Sequence, residues 1–249
     1  MTKVISIINH KGGVGKTTSA VNISAGLHKL NRRVLVIDLD PQSSLSISLG
    51  IVEPDKELNI YGAFKGEYPI TPIEILKGFD IVPSTLDLSE MEIKLVTTTA
   101  GEMRLKKLLK PLLSSYDYIV IDCPPSLGGL TVNALACSSL VYVPLQAQFL
   151  ALRGLTKLLD IVDLVKESLN PSLEIGGVFT TIYDNRKILN RDIAETLEEN
   201  FSGKVFKTKI RETVSLGEAP TQGVDIFRYA PKSTGAEDYL ALCREIIKQ

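Results

Sequence analysis

Short runs of β-branched and aliphatic residues recur along the 249-residue chain, each bounded by polar or turn-forming residues. "KVISIIN" (3–9), "RVLVIDLD" (33–40), "FDIVPS" (79–84) and "YDYIVIDCPP" (116–125) predict strands, the β-branched runs buried on both faces. "SLVYVPLQ" (139–146) and "EIGGVFTTIY" (174–183) extend the series, and "KVFKTKI" (204–210) is predicted to close it. Between them the apolar spacing changes to that of helices, over 16–30, 86–96, 102–113, 152–169, 189–201 and 235–248. This alternation predicts an α/β fold, a doubly wound, mostly parallel sheet flanked by helices on both faces. The stretch 50–78, with four glycines and three prolines, reads as loops and short helices. No linker or repeat divides the chain, so one domain over 1–249 is expected.

Composition narrows the function classes. A net charge of −1 gives no bulk attraction to nucleic acid or membrane, though a local basic patch remains compatible with it. Cys123, Cys137 and Cys243 lack C-x-x-C spacing and read as buried thiols of a reducing compartment. No apolar run approaches the roughly 18 residues of a membrane span, and the N-terminal run is too short for a signal peptide. A cytoplasmic protein is expected.

Residues 8–18, "INHKGGVGKTT", lie between the first strand and the first helix. That context suits a phosphate loop. Gly12, Gly13 and Gly15 let the backbone turn and aim its N–H groups inward. The helix beginning near Lys16 adds its positive end. Lys16 is placed for β- and γ-phosphates and the Thr17 hydroxyl for Mg²⁺. A glycine-rich turn with a chance lysine would look similar. However, acids recur where a nucleotide site needs them: Asp38 and Asp40 end the second strand, and Asp122 ends the strand "YIVID". An acid there can hold Mg²⁺ through water. The loop departs from G-x-x-x-x-G-K-S/T in having His10 at the first glycine, followed by a second lysine, Lys11.

With that second lysine the motif resembles the deviant Walker A of the ParA/MinD ATPases, a P-loop NTPase family. "VLVIDLDPQSSLS" (34–46) is similar to their D-x-D-P-Q motif, and "YDYIVIDCPPSLGGLTVNAL" (116–135) to their Walker B and switch. "SLGEAPTQGVDIFRYAPKSTGAEDYLAL" (215–242) resembles the ParA/Soj branch, in its short form without an added N-terminal DNA-binding domain. The resemblance implies ATP and Mg²⁺ as cofactors. It implies that Lys11, Gly12, Gly13, Val14, Gly15, Lys16, Thr17 and Thr18 hold the phosphates. Lys11 would act across an ATP-bound homodimer on the partner's phosphates, as an arginine finger does. Asp40 matches the aspartate that orients or deprotonates the attacking water, and it could also approach the metal through water. Asp122 matches the Walker B acid. Gly128 and Gly129 are expected to give the switch its flexibility.

The same resemblance implies slow, partner-stimulated hydrolysis, non-specific binding of the dimer to double-stranded DNA, a ParB-like activator and nucleoid association. A basic surface must then exist. Lys204, Lys207, Lys209 and Arg211 stand without an acid over 203–211, three of them on one face if this is a strand. Arg186 and Lys187 lie upstream. A solvated edge strand guarded by lysines would look alike. Glu212 and Ser215 occupy positions where relatives commonly carry arginines, Arg211 replaces a proline, and Gln148 and Arg153 stand where glutamates are common. Two other classes compete. A MinD-like membrane-cycling ATPase would use the C-terminal helix as an amphipathic anchor, and a protein-cargo-positioning ATPase would work on a different surface. A cluster-sharing reductase would need the cysteines.

Overall fold

The computed structural model describes residues 2–54, 58–148, 151–201 and 203–249, without the side chains of residues 151–153. In chain order the elements are β1 (Lys3–Ile7), α1 (Lys16–Lys29), β2 (Val34–Asp38), α2 (Ser44–Ser48), α3 (Ile60–Lys65), β3 (Ile73–Leu76) and β4 (Phe79–Val82). Then come α4 (Met91–Thr97), α5 (Arg104–Leu109), β5 (Tyr118–Asp122), α6 (Gly129–Cys137), β6 (Leu140–Gln146), α7 (Ala151–Ser168) and β7 (Glu174–Thr181). The chain continues through α8 (Ile188–Asn200), α9 (Val214–Glu218), α10 (Ile226–Tyr229) and α11 (Thr234–Lys248).

The strands form one sheet in the order β3-β4-β2-β5-β1-β6-β7. Every neighbouring pair is parallel except β3 with β4. A strand buried on both faces sends alternate side chains into two cores. Val4, Leu35, Ile37, Ile119 and Ile121 pack beneath α3 to α8. Ile5, Ile7, Val34, Val36 and Val120 pack against α1 and α11. The doubly wound fold is therefore the one the alternation predicts.

Two elements differ from expectation. Residues 73–76, read as part of an irregular region, form β3. The signal was present, since Ile73 and Ile75 flank Glu74 and Lys77–Gly78 turns the chain, with Gly78 at φ +85°. Conversely, residues 204–210 form no strand. They meet β7 through one isolated bridge, Val178 with Val205, and the bond from Ile210 N–H to the Thr180 carbonyl (2.8 Å), and just beyond both segments Tyr183 bridges Arg211. The cause is a competing acceptor: the Glu245 carboxylate on α11 takes the backbone N–H groups of Lys207 (3.0 Å) and Thr208 (2.9 Å). Lys207, Lys209 and Arg211 therefore do not share a strand face.

The C-terminal helix is bound into the body. Tyr239, Leu242, Cys243 and Ile246 on α11 are buried against the α1 side of the sheet. That uses up the apolar face an amphipathic membrane anchor would need. Among the described residues, no helix is long and apolar enough to cross a membrane. Cys123 and Cys243 are buried thiols, as expected, and Cys137 is half-buried.

The α1–α11 contact depends on Gly26. A Cβ there would come 2.6 Å from the Cys243 sulfur and 3.2 Å from the Phe227 ring. Gly26→Ala is therefore expected to destabilise the fold by about 1–3 kcal/mol despite alanine's better helix propensity. Adding Cys243→Ala should recover part of the loss in urea melts. Equal stability of Gly26→Ala and wild type would contradict this packing.

Candidate nucleotide site

The C-terminal ends of β1, β2 and β5 lie side by side, with Ile7 paired to Asp122 and Asp38 paired to Asp122. Ligands of open α/β sheets bind at this edge. Here the chain leaves β1, makes the glycine loop and enters α1. Gly13 (φ +73°) and Gly15 (φ +84°) need the left-handed conformation that only glycine adopts freely. Gly12 has no such need, and a Cβ on it would meet nothing within 4 Å. Its side faces the open space of the loop.

The loop is tied to its neighbours. Asn9 Nδ2 donates to the Pro144 carbonyl (2.8 Å) and its Oδ1 accepts from Lys11 N–H (3.0 Å). The Thr181 hydroxyl donates to the Val14 carbonyl (2.7 Å). Gly154 at the start of α7 approaches His10 so closely that a Cβ would come 2.1 Å from the imidazole. The departing first-glycine position thus carries an exposed ring that lies against the start of α7.

The two lysines point to different places. Lys16 is only 7% exposed and its ammonium donates to the Lys11 carbonyl (3.1 Å). Burial lowers its pKa, while Asp122 and Asp40 favour its charge. The Lys11 ammonium instead donates to Gln148 Oε1, two residues beyond β6.

The three acids also separate by role. Asp38 is fully buried and accepts from Ser46 N–H (2.8 Å), Ser46 Oγ (2.7 Å) and Asp40 N–H (3.2 Å). It clamps α2 to β2, and burial raises its pKa to about 6. Asp40 lies on the cavity wall, and its Oδ1 accepts from Gln42 N–H (2.9 Å). Asp122 is the unusual one. Among the described residues, both of its carboxylate oxygens are buried without a hydrogen-bond partner. Burial, then Asp38, push its pKa well above the usual carboxylate range, and the nearby Thr17 hydroxyl and Lys16 favour the charged form. An orphaned buried carboxylate is costly unless something completes it. A hydrated Mg²⁺ beside Thr17 fits, because its waters would donate to both oxygens. Among the described residues, no group of three or more His, Cys, Asp or Glu could hold a metal unaided, so water and phosphate would complete the shell.

The loop glycines, Lys16, Thr17, Thr18 and Asp40 line a cavity of about 610 Å³. Its far wall was not read from the sequence. Ile182 stands there at φ +51°, rare for a β-branched residue, beside Arg211, Thr213 and Leu216. The strained position directly follows β7 and carries no motif. Only the departure at Arg211 pointed to this wall. Arg211 is held by Asp238 (2.7 Å) and Glu237 (3.2 Å).

Arg186 and Lys209 share a neighbouring hollow with Arg211, whereas Lys204 and Lys207 line a separate one beside Glu245. Arg186 is paired with Asp184 (2.9 Å), which it holds at a pKa of about 2. Lys187 is paired with Glu212 (3.1 Å), and the Lys209 ammonium lies 5.0 Å from the Tyr183 ring centre. Among the described residues, Lys204 and Lys207 have no ion pair. The side chain of Arg153 falls outside the described residues.

A seven-stranded doubly wound sheet with a glycine loop between β1 and α1, facing buried acids on β2 and β5, defines a P-loop ATPase. An AAA domain family model matches residues 2–175. The chain is 44% identical to the sporulation initiation inhibitor protein Soj of Bacillus subtilis (strain 168), covering 99% of this chain and 98% of that protein. It is 43% identical to the chromosome partitioning protein ParA of Myxococcus xanthus (strain DK1622), over 99% and 88%. The chain belongs to the ParA/Soj family of partition ATPases. Among solved structures, cobyrinic acid a,c-diamide synthase from Mycobacterium smegmatis with bound ATP analog and magnesium superposes with a TM-score of 0.87. It is 33% identical and covers 100% of this chain and 95% of that one. A putative plasmid partition protein from Borrelia burgdorferi B31 bound to AMPPNP gives 0.84 at 27% identity, over 100% and 99%.

The unpartnered Asp122 carries a stability consequence. Its folded pKa lies above its unfolded value, so folding takes up a proton and stability falls as pH rises from the unfolded pKa toward the folded one. Asp122→Asn should stabilise the nucleotide-free protein at pH 8, and less at pH 5. Urea melts at both values test this, and a gain no larger at pH 8 than at pH 5 would refute it.

Proposed function

We propose that this chain is an ATP- and Mg²⁺-dependent ATPase that dimerises with ATP, binds DNA without sequence preference and positions a plasmid or chromosome with a ParB-like activator. The observation that carries the reading is the divergence of the two loop lysines. Lys16 is buried into its own phosphate loop, whereas Lys11 is turned outward to Gln148. A cation held outside its own site is suited to a second subunit's phosphates. Two facing ATP anions would need such neutralisation, which makes dimerisation ATP-dependent.

The chemistry follows from the wall of the cavity. The backbone of Gly12 to Thr18 and the positive end of α1 bind the phosphates, and Lys16 balances their charge. Thr17 and Asp122 would hold Mg²⁺, the latter through water, and the metal would offset charge on the transferred phosphoryl group. Asp40, on the rim, would orient the attacking water, with a lesser role toward the metal. Lys11 would supply transition-state charge across the dimer. Hydrolysis stays slow until a partner acts. Action in the cytoplasm, on the nucleoid, fits this cycle. A single domain over 1–249 is part of the same proposal.

For DNA, Lys204 and Lys207 are the strongest candidates, having no internal ion pair among the described residues. Arg186, Lys187, Arg211 and Lys209 are engaged in the free subunit, so each would exchange an existing partner for phosphate. Doubling in the dimer compensates for the small number of uncommitted cations.

Two measurements test this reading. Lys16→Ala should weaken ATP binding by about tenfold or more, the value of one charge-assisted contact. Lys11→Ala should bind ATP normally as a monomer but lose hydrolysis. Equal loss of ATP affinity in both variants would contradict the trans role. Light scattering of Asp40→Ala should give a dimer with Mg·ATP and a monomer with ADP.

For the DNA surface, affinity against salt is the readout. Lys204→Ala/Lys207→Ala should lower the log–log slope by about 0.9 for each phosphate that is no longer neutralised, counted in both subunits. An unchanged slope with dimerisation intact would remove these lysines from the interface. No DNA binding by wild type with ATP at low salt would end the partition reading.

A further inference from the structure

Glu92 lies on α4, outside the nucleotide cavity, and the ATPase reading gives it no role. Its carboxylate nevertheless reaches the segment that connects Asp122 to α6. Oε1 accepts from the Ser126 hydroxyl (2.7 Å), and Oε2 from the Leu130 backbone N–H (3.3 Å). Helix α6 has Gly128 at its N-cap and no side-chain cap of its own. Glu92 supplies that cap from a different helix, where a negative charge also meets the positive end of α6.

The packing around this contact is tight. A Cβ on Gly128 would come 2.3 Å from Glu92 Oε2, and one on Gly129 would come 2.9 Å from the Glu92 carbonyl oxygen. Neither glycine has a positive φ. Their small size is required by the close approach of α4, rather than by flexibility as the sequence suggested. The segment between is short. Asp122 ends β5, Pro125 lines the nucleotide cavity, and Ser126 is already bonded to Glu92. The Thr131 hydroxyl donates to the Ser126 carbonyl (2.6 Å), fixing the segment from the α6 side as well. A shift of Pro125 relative to the phosphates must therefore strain the Glu92 contacts or carry α4 with it.

We propose that Glu92 is a positioning residue for hydrolysis: it holds the 123–130 segment against the nucleotide cavity and couples that segment to α4. This rests on the ATPase reading of the cavity. Among the described residues the carboxylate bonds of Glu92 go to Ser126 and Leu130 and not to the phosphate loop, so ground-state ATP binding should be independent of it. Placement of the groups around the attacking water should depend on it.

The test compares Glu92→Ala, Glu92→Gln, Gly128→Ala and the double variant Glu92→Ala/Gly128→Ala. Glu92→Ala should keep ATP affinity within about twofold and lower kcat by about tenfold or more, as expected when reacting groups lose their alignment. Glu92→Gln retains an acceptor for the Leu130 N–H and should restore most of the rate. Gly128→Ala should lower kcat by displacing Glu92, and in the Glu92→Ala background it should cost much less. Hydrogen exchange on nucleotide-free protein gives an independent readout. Glu92→Ala should speed exchange over residues 126–131 and leave the phosphate loop unchanged. Wild-type kcat in Glu92→Ala would overturn the proposal, as would a Gln variant as slow as the Ala variant. Absent hydrolysis in wild type would count against the ATPase reading. In that event, unchanged exchange over 126–131 would overturn the Glu92 coupling as well.

Discussion

Two carboxylates, Asp38 and Asp122, end adjacent parallel strands in direct register, and both are removed from water. Like charges so placed repel and are poorly solvated, and the interior screens them weakly. The protein resolves this unequally. Asp38 receives three hydrogen bonds and becomes part of the frame that fixes α2 and the D-x-D loop. Neither oxygen of Asp122 meets a donor in good hydrogen-bond geometry among the described residues, and the Thr17 hydroxyl and Lys16 nearby favour its charge without completing its environment. The position of Lys16, the placement of Thr17 and the open space beside Gly12 all follow from keeping that point available.

Much of the fold was legible because the sheet is buried on both faces. Strands such as "VLVID" and "YIVID" cannot occupy a solvated surface, and their apolar runs identify them without help from context. The phosphate loop was legible for a different reason, since Gly13 and Gly15 are demanded by backbone conformation. Failures occurred where distant groups decide local structure. Residues 204–210 have the composition of a strand, but a carboxylate 37 and 38 positions away takes the N–H groups of Thr208 and Lys207. The region before β4 failed through its glycines and prolines, although its hairpin alternation was visible. The far cavity wall has no motif at all, because its shape comes from the strained Ile182 and from an ion pair between Arg211 and α11.

Charge at the surface also needs structure to interpret. Counting lysines and arginines over 186–211 suggests a basic patch. The folded chain places Asp184, Glu212, Glu237 and Asp238 among them. Exposed pairs of this kind add little stability. Their effect is on recognition, because a guanidinium already shared with a carboxylate offers less to an incoming phosphate. Glu212, paired with Lys187, is part of that internal neutralisation. Lys204 and Lys207 keep their charge uncommitted.

Glu245 does more than break a strand. Beta-sheet edges carry rows of open N–H and C=O groups that invite pairing with another molecule. Beyond β7 the following segment covers part of that row through Val205 and Phe206, and then turns off to α11 where Glu245 engages its amides. The sheet is thus neither extended by a full eighth strand nor left with a long bare margin. A long bare margin would be at risk of edge-to-edge aggregation. Here a single helix carboxylate bends the last extended segment away from the geometry a neighbour could copy.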